Sequence, residues 1–126
     1  MRILAIDHGS KRIGLAVGDT GHGVATPLKS IGAHDVFGEL RAFVAKENIE
    51  RIVIGMPLTL RGEKGAQAQK VEAFGKKLGS LLNLPVEFFD ERLTSKMVLK
   101  DTQDKDAAAA AILLSDWLQA YQNKKT

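Results

Sequence analysis

The chain opens on Ile3-Leu4-Ala5-Ile6, an unbroken apolar run of strand length that ends on Asp7 and a turn at Gly9. Ile13, Leu15 and Val17 then alternate with Gly14, Ala16 and Gly18, and Val24 to Ile31 follows the Gly21-His22-Gly23 turn as a third strand. Three strands joined by short turns predict an antiparallel meander. From Asp35 the period becomes helical, with Val36, Leu40, Phe43 and Val44 returning every three or four residues. Arg51-Ile52-Val53-Ile54-Gly55 has the continuous apolar character of a buried strand. Val71, Phe74, Leu78, Leu81 and Leu82 mark a second helix that stops at Asn83 with Pro85 beyond, before a last strand over Val86-Glu87-Phe88-Phe89. The final helix carries Ala110, Leu113, Leu114, Trp117, Leu118 and Tyr121 on one stripe, with Gln122 to Thr126 as a polar, frayed tail.

Strand, helix, strand, twice over, implies parallel pairing through right-handed crossovers. The expected fold is α/β: a five-stranded mixed sheet, an antiparallel meander followed by two parallel crossovers, with helices on its faces. No linker or internal repeat interrupts the pattern, and 126 residues suit one domain over 1–126.

Composition narrows the chemistry. The absence of cysteine excludes disulfides, thiolate zinc sites and a cysteine nucleophile. Only a short apolar run precedes Asp7, too short for a signal-peptide core, and the longest one, Ala107 to Leu114, falls far below a membrane span. A soluble, cytoplasmic protein without membrane association is expected. A net charge of +3 and a pI near 9.3 favour polyanions mildly. Position says more than the total: Lys11, Arg12, Arg61, Lys64, Arg92 and Lys96 fall in or near the turns that follow predicted strands.

Asp7 is an acid at the end of a buried strand, where an uncompensated carboxylate costs several kcal/mol, on the order of what an unpaired buried charge costs generally. It either caps its own turn, as Asp-x-Gly sequences do, or meets a ligand. Parallel strands bring their carboxyl ends to one edge, where ligands of open α/β sheets bind. Asp90 and Glu91 end another strand at that edge. Asp106 opens the run Ala107-Ala108-Ala109-Ala110-Ala111, whose small side chains let a helix lie close to its neighbour. Each acid has a local alternative, Asp106 as a helix N-cap and Asp90 or Glu91 as a surface partner of Arg92. Taken together, carboxylates forced into one space repel, and hard divalent cations with oxygen preference relieve that repulsion. Mg²⁺ or Mn²⁺ is implied, as two ions about 3.5–4 Å apart that serve in-line displacement at phosphorus, hence phosphodiester hydrolysis.

The loop Gly55-Met56-Pro57-Leu58-Thr59-Leu60-Arg61-Gly62 leaves a strand at the same edge and, with Lys64, either holds a phosphate backbone or is a connector whose leucines fold back on the sheet. His8 either orients water beside Asp7 or is solvated in its turn. Trp117 and Tyr121 lie on the apolar stripe and are expected to be structural.

Together, Asp7-His8-Gly9-Ser10-Lys11-Arg12-Ile13-Gly14, Gly55-Met56-Pro57-Leu58, Asp90-Glu91-Arg92-Leu93-Thr94 and Asp106-Ala107-Ala108-Ala109 closely resemble, in order and over nearly the whole chain, the YqgF family of RNase H-like nucleases. Members go by the names of Holliday junction resolvases and of nucleases maturing the 5′ end of pre-16S ribosomal RNA. The resemblance implies an RNase H-like fold, a hydrolase acting on ester bonds by a two-metal reaction, and catalytic, metal-holding carboxylates at Asp7, Glu91 and Asp106. It also places Arg12 and Arg92 beside the site. One departure stands out: Ser95 to Asp106 is shorter than the family's basic connection, which leaves Asp104 or Asp101 as substitutes for Asp106.

Three functions compete. The first is a nuclease on structured RNA, with Lys11, Arg12, Arg61, Lys64 and Arg92 gripping the nucleic acid. The second cuts branched DNA and calls for a two-fold homodimer rather than a monomer. The third binds nucleic acid without cutting it, by salt-sensitive electrostatics. The actin and sugar-kinase fold opens similarly, but those proteins need two such domains.

Overall fold

The computed structural model describes residues 1–9, 11–32, 34–59, 61–91 and 104–125. In chain order these form β1 (Arg2–His8), β2 (Arg12–Asp19), β3 (Ala25–Gly32), α1 (Val36–Glu47), β4 (Arg51–Met56), α2 (Ala66–Leu82), β5 (Val86–Asp90) and α3 (Lys105–Lys125). The strands make one sheet in the order β3-β2-β1-β4-β5. β1, β2 and β3 pair antiparallel, and β4 pairs parallel with both β1 and β5, which is the expected meander followed by two crossovers.

Alternation sorts the side chains into two cores. Leu4, Ile6, Leu15, Ile52 and Ile54 pack against Val36 and Leu40 of α1 and Val71 and Leu78 of α2. Ile3, Ala5, Ala16 and Val53 face Ala110, Leu113, Leu114, Trp117 and Leu118 of α3 on the other side. β1 lies at the centre and is covered on both faces, so its sequence is continuously apolar rather than alternating. Asn48 and Asn83 close α1 and α2 in the left-handed conformation, each with φ of 54°, and each donates its backbone N–H back into its helix, to Val44 and Gly79.

α3 approaches the sheet more closely than the alanine run alone accounts for. Gly14, the register partner of Asp7, lies directly under the first turn of α3, where a Cβ would collide with the backbone of Asp106 and stand 2.9 Å from the Ala107 nitrogen. That turn is held by Asp104: its Oδ1 accepts the Ala107 N–H at 3.0 Å and its Oδ2 accepts the Ser30 N–H of β3 at 2.8 Å. Asp104, not Asp106, is therefore the helix cap. Its carboxyl is held below the usual range chiefly by the Ala107 hydrogen bond, so it serves as structure and Asp106 is left for other work.

The expected frayed tail is instead helical to Lys125, because Gln122 Nε2 donates to the Thr20 carbonyl at 2.7 Å and ties the last turns to the β2–β3 connection. Trp117 is buried as expected, and its indole N–H donates to Glu87 Oε2 at 2.6 Å while Arg51 holds the other oxygen at 3.3 Å. Tyr121 stacks on it at 5.2 Å. Among the described residues no helix is long and apolar enough to cross a membrane.

The contact at Gly14 is backbone against backbone, which rotamer changes cannot relieve. Gly14→Ala is expected to lower stability by about 3 kcal/mol, at the upper end of overpacking effects, as measured by urea unfolding.

Candidate active site

Asp7 ends β1 on the same face as Ile3 and Ala5, and so points toward α3. Glu91 follows β5 on the face of Phe89 and reaches the same place. β4 stands between these two strands, and the chain crosses it with a glycine. A Cβ on Gly55 would come within 2.5 Å of Glu91 Oε1 and 3.0 Å of its Cγ, so the Glu91 side chain lies over the bare backbone of β4 to meet Asp7.

The two carboxyls share a hydrogen bond that lowers the pKa of Asp7 and raises that of Glu91, which makes Glu91 the donor and Asp7 the acceptor. Burial, then the negative charge of Asp7, push the Glu91 carboxyl up to about 7. Burial also raises Asp7, aided by repulsion from Asp106 and opposed by the bond from Glu91. The pair therefore loses its shared proton only as pH rises through about 7. The pair borders a cavity of about 230 Å³ whose other wall is Ala109 and Leu113 of α3.

Of the three acids expected to converge, Asp7 and Glu91 are in contact and Asp106 stands within electrostatic range of Asp7. Asp106 acts on Asp7 and borders a neighbouring cavity with Arg12, Ser30, Asp104 and Lys105. Among the described residues no group of three or more His, Asp or Glu side chains is drawn into one metal-holding set. Asp90 belongs by alternation to the face of Phe88 and bears on Glu91 as a repelling charge.

Lys11, Arg12 and Arg61 are exposed. Lys64 is exposed too, but is engaged by Glu72, which also pairs with Lys76 at 3.6 Å. Arg92, Lys96, Asp101 and Leu60 lie outside the described residues. In the loop after β4, Gly62 adopts φ of 81° and donates its N–H to the Thr59 carbonyl at 2.8 Å, while Leu58 is half-buried. His8 is half-buried rather than free in its turn, and its ring does not share the face of the Asp7 carboxyl. It falls on the opposite face of β1, where its ring packs 4.6 Å from that of Phe74 and burial lowers its pKa. Period two from Ile6 already assigns His8 to that face. Sequence reading missed the two glycines that admit the acids, Gly14 and Gly55, because close approach of distant backbone leaves no local signal.

A sheet of this order carrying acids at its carboxyl edge is an RNase H-like arrangement. Thermus thermophilus RuvC in complex with a Holliday junction substrate superimposes with a TM-score of 0.65 at 16% identity, covering 97% of this chain and 96% of that one. That likeness defines the fold. Residues 1–120 match the family described as "RuvX: Holliday junction resolvase", and the chain belongs to that family, the YqgF family of the motif resemblance. It is 42% identical over 135 aligned positions to a protein of Chloroflexus aurantiacus named "Putative pre-16S rRNA nuclease", covering 96% of this chain and 88% of that protein. A Chloroflexus aggregans protein of the same name is 40% identical, with 96% and 95% covered.

Two predictions follow from the shared proton. A carboxyl whose folded pKa lies above its unfolded value binds more protons in the native state, so its contribution to stability falls as pH rises from about 4.5 through about 7. Glu91→Gln, which keeps the donor and removes the charge, is expected to become more stable than the parent across that interval, by on the order of 1 kcal/mol after solvent screening. Urea unfolding at several pH values measures it. Gly55→Ala meets only the end of a flexible side chain, so Glu91 should swing away with little loss of stability, and its carboxyl titration, followed by NMR, should fall back toward 4.5.

Proposed function

We propose that the chain is a divalent-metal-dependent nuclease that hydrolyses phosphodiester bonds in structured RNA, with the 5′ end of pre-16S ribosomal RNA as its substrate and the cytoplasm as its place of work. The observation that carries this reading is the partly buried Asp7–Glu91 pair, which shares one proton at the carboxyl edge of the sheet, in a chain of the RuvX family. The donor set suits Mg²⁺ or Mn²⁺. It is all oxygen, and Mg²⁺ is generally held by one or two carboxylates with the rest of its shell left to water and substrate phosphates. Asp7 and Glu91 supply that number, and Asp106 is the third carboxylate proposed for the site.

Bound there, divalent cations supply a Lewis acid for the phosphodiester and a water that is nucleophilic near neutral pH. Glu91 gives up the proton it shares with Asp7 when the pair takes up positive charge, so occupancy rises as pH passes through about 7. Ala109 and Leu113 line the cavity with apolar surface, which limits water on that side and strengthens the carboxylates' field. Arg12, beside the first turn of α3, and the exposed Lys11 and Arg61 are the cations proposed to hold phosphates of the bound strand. Lys64 reaches a phosphate by leaving Glu72.

The second reading, cleavage of branched DNA by a homodimer, is favoured by the description of the family and by the RuvC-like fold. One experiment tests both. The purified chain is incubated with a ribosomal precursor fragment and with a four-way DNA junction, each with Mg²⁺, with Mn²⁺ and with chelator. Cleavage of the precursor that disappears with chelator is expected. Asp7→Asn should reduce it at least about a hundredfold, or ~2.7 kcal/mol of barrier, with circular dichroism unchanged. Asp106→Asn should act in the same direction. Asp104→Ala should instead lower stability by about 1 kcal/mol through loss of the cap. Cleavage of the junction alone would assign the second reading, and cleavage by Asp7→Asn at the parent rate would overturn both.

A further inference from the structure

On the opposite face of the sheet from the Asp7–Glu91 pair, at the same edge, lies a cavity of about 320 Å³ between β1, α1 and α2. Its walls include the rings of Phe37, Phe74 and His8, with Val36 behind them and Lys11 and Asp35 in the lining. The rings form a continuous aromatic surface: His8 to Phe74 at 4.6 Å and Phe74 to Phe37 at 5.4 Å, both tilted. Lys77 of α2 places its ammonium 4.7 Å from the centre of the Phe37 ring. In the same lining, His8 Nδ1 is itself sealed from solvent, so the ring contributes aromatic surface rather than that nitrogen to the cavity.

We propose that this cavity receives one unpaired nucleobase of the substrate strand, stacked on Phe74 and Phe37. The inference rests on the nuclease reading above and names what that reading leaves open, namely how the strand is gripped next to the cut. Three features select a base over other occupants. The walls are aromatic, and every base has a face that stacks on such a surface. Asp35 repels a phosphate inside the cavity and accepts from the N–H groups on a base edge. Lys11 and Lys77 bring positive charge for the phosphates on either side of that base.

Continuity with the acids fixes which strand it is. His8 follows Asp7 directly, and successive side chains of a strand point to opposite faces, so nucleic acid with a phosphate over Asp7 has only the rim of β1 to cross before its base reaches His8. Bases within a duplex are paired and stacked, so the occupant comes from a single-stranded segment or is extruded. The cavity therefore favours cleavage beside an unpaired nucleotide.

The test uses the full chain carrying Asp7→Asn, with Mg²⁺, and a short single-stranded RNA bearing one 2-aminopurine. Anisotropy reports binding, and the base's fluorescence reports stacking. The expected result is strong quenching at saturation. Phe74→Leu and Phe37→Leu keep apolar bulk but remove the stacking face. Each should relieve the quench and weaken binding about tenfold, within the range given by loss of one stacked base. An abasic nucleotide at that position should weaken binding by a similar factor and make the Phe74→Leu change nearly silent, which a mere folding defect would not do.

Binding without quenching, or an abasic position that costs nothing, would overturn the proposal while leaving the nuclease reading intact. Quenching and phenylalanine dependence in a chain that cuts no substrate with any metal would uphold the base site and sink the nuclease reading. A Phe37→Leu change in sedimentation with unaltered quenching would assign the cavity to a second copy of the chain, and so overturn it as well.

Discussion

Two acids that would each prefer water are held against one another at the carboxyl edge of the sheet, and that crowding is the constraint on which the rest of the site depends. Neither Asp7 nor Glu91 gains from the arrangement as a charged group, since burial and mutual repulsion both raise the free energy of the doubly ionised pair. The apolar cores on the two faces of the sheet provide the stability that tolerates it. Such a site is strained when empty of positive charge and relaxed when charge arrives, which is the electrostatic signature expected of a place that handles phosphates and the cations that accompany them.

The geometry that creates this constraint is economical in residues. β1 runs through the middle of the sheet and is buried on both faces, so its last residues emerge at the edge with rigid support behind them. β4 separates Asp7 from Glu91, and the single missing side chain at Gly55 bridges that separation. On the α3 side Gly14 performs the equivalent service, letting the helix backbone settle onto β2 beside Asp7. Asp104 then fixes the helix by bonding both its first turn and β3. Of the two acids that could stand in for Asp106, Asp104 is committed to this anchoring and Asp101 lies outside the described residues.

The two faces of the edge divide the labour of recognition. Toward α3 lie carboxyls, a small apolar cavity and the guanidinium of Arg12 beside the helix start. Toward α1 and α2 lie aromatic rings and flanking lysines. Adjacent residues Asp7 and His8 belong to different chemistries only because a strand turns successive side chains to opposite sides.

Much of this was legible in the order of residues. Apolar runs of strand length, alternating or continuous, and stretches of helical period marked the strands and helices, the two crossovers dictated which strands run parallel, and together these delivered Asp7 and Glu91 to one edge. Short-range features were equally plain, such as Asn83, which ends the second helix. The helical end of α3 was not, because the polar Gln122 is ordered by a carbonyl about a hundred positions away in sequence, at Thr20. Nor was the use of Asp104 in place of Asp106 as the cap, since both stand at the same helix start and only the N–H of Ser30 on a distant strand distinguishes them. How far burial raises the pKa of Asp7 and Glu91, how near α3 lies to the sheet and against which ring His8 packs were decided by packing between remote segments. Local sequence fixes dihedral preferences and hydrophobic period, while burial, and the pKa values and close contacts that follow from it, exist only once the elements have met.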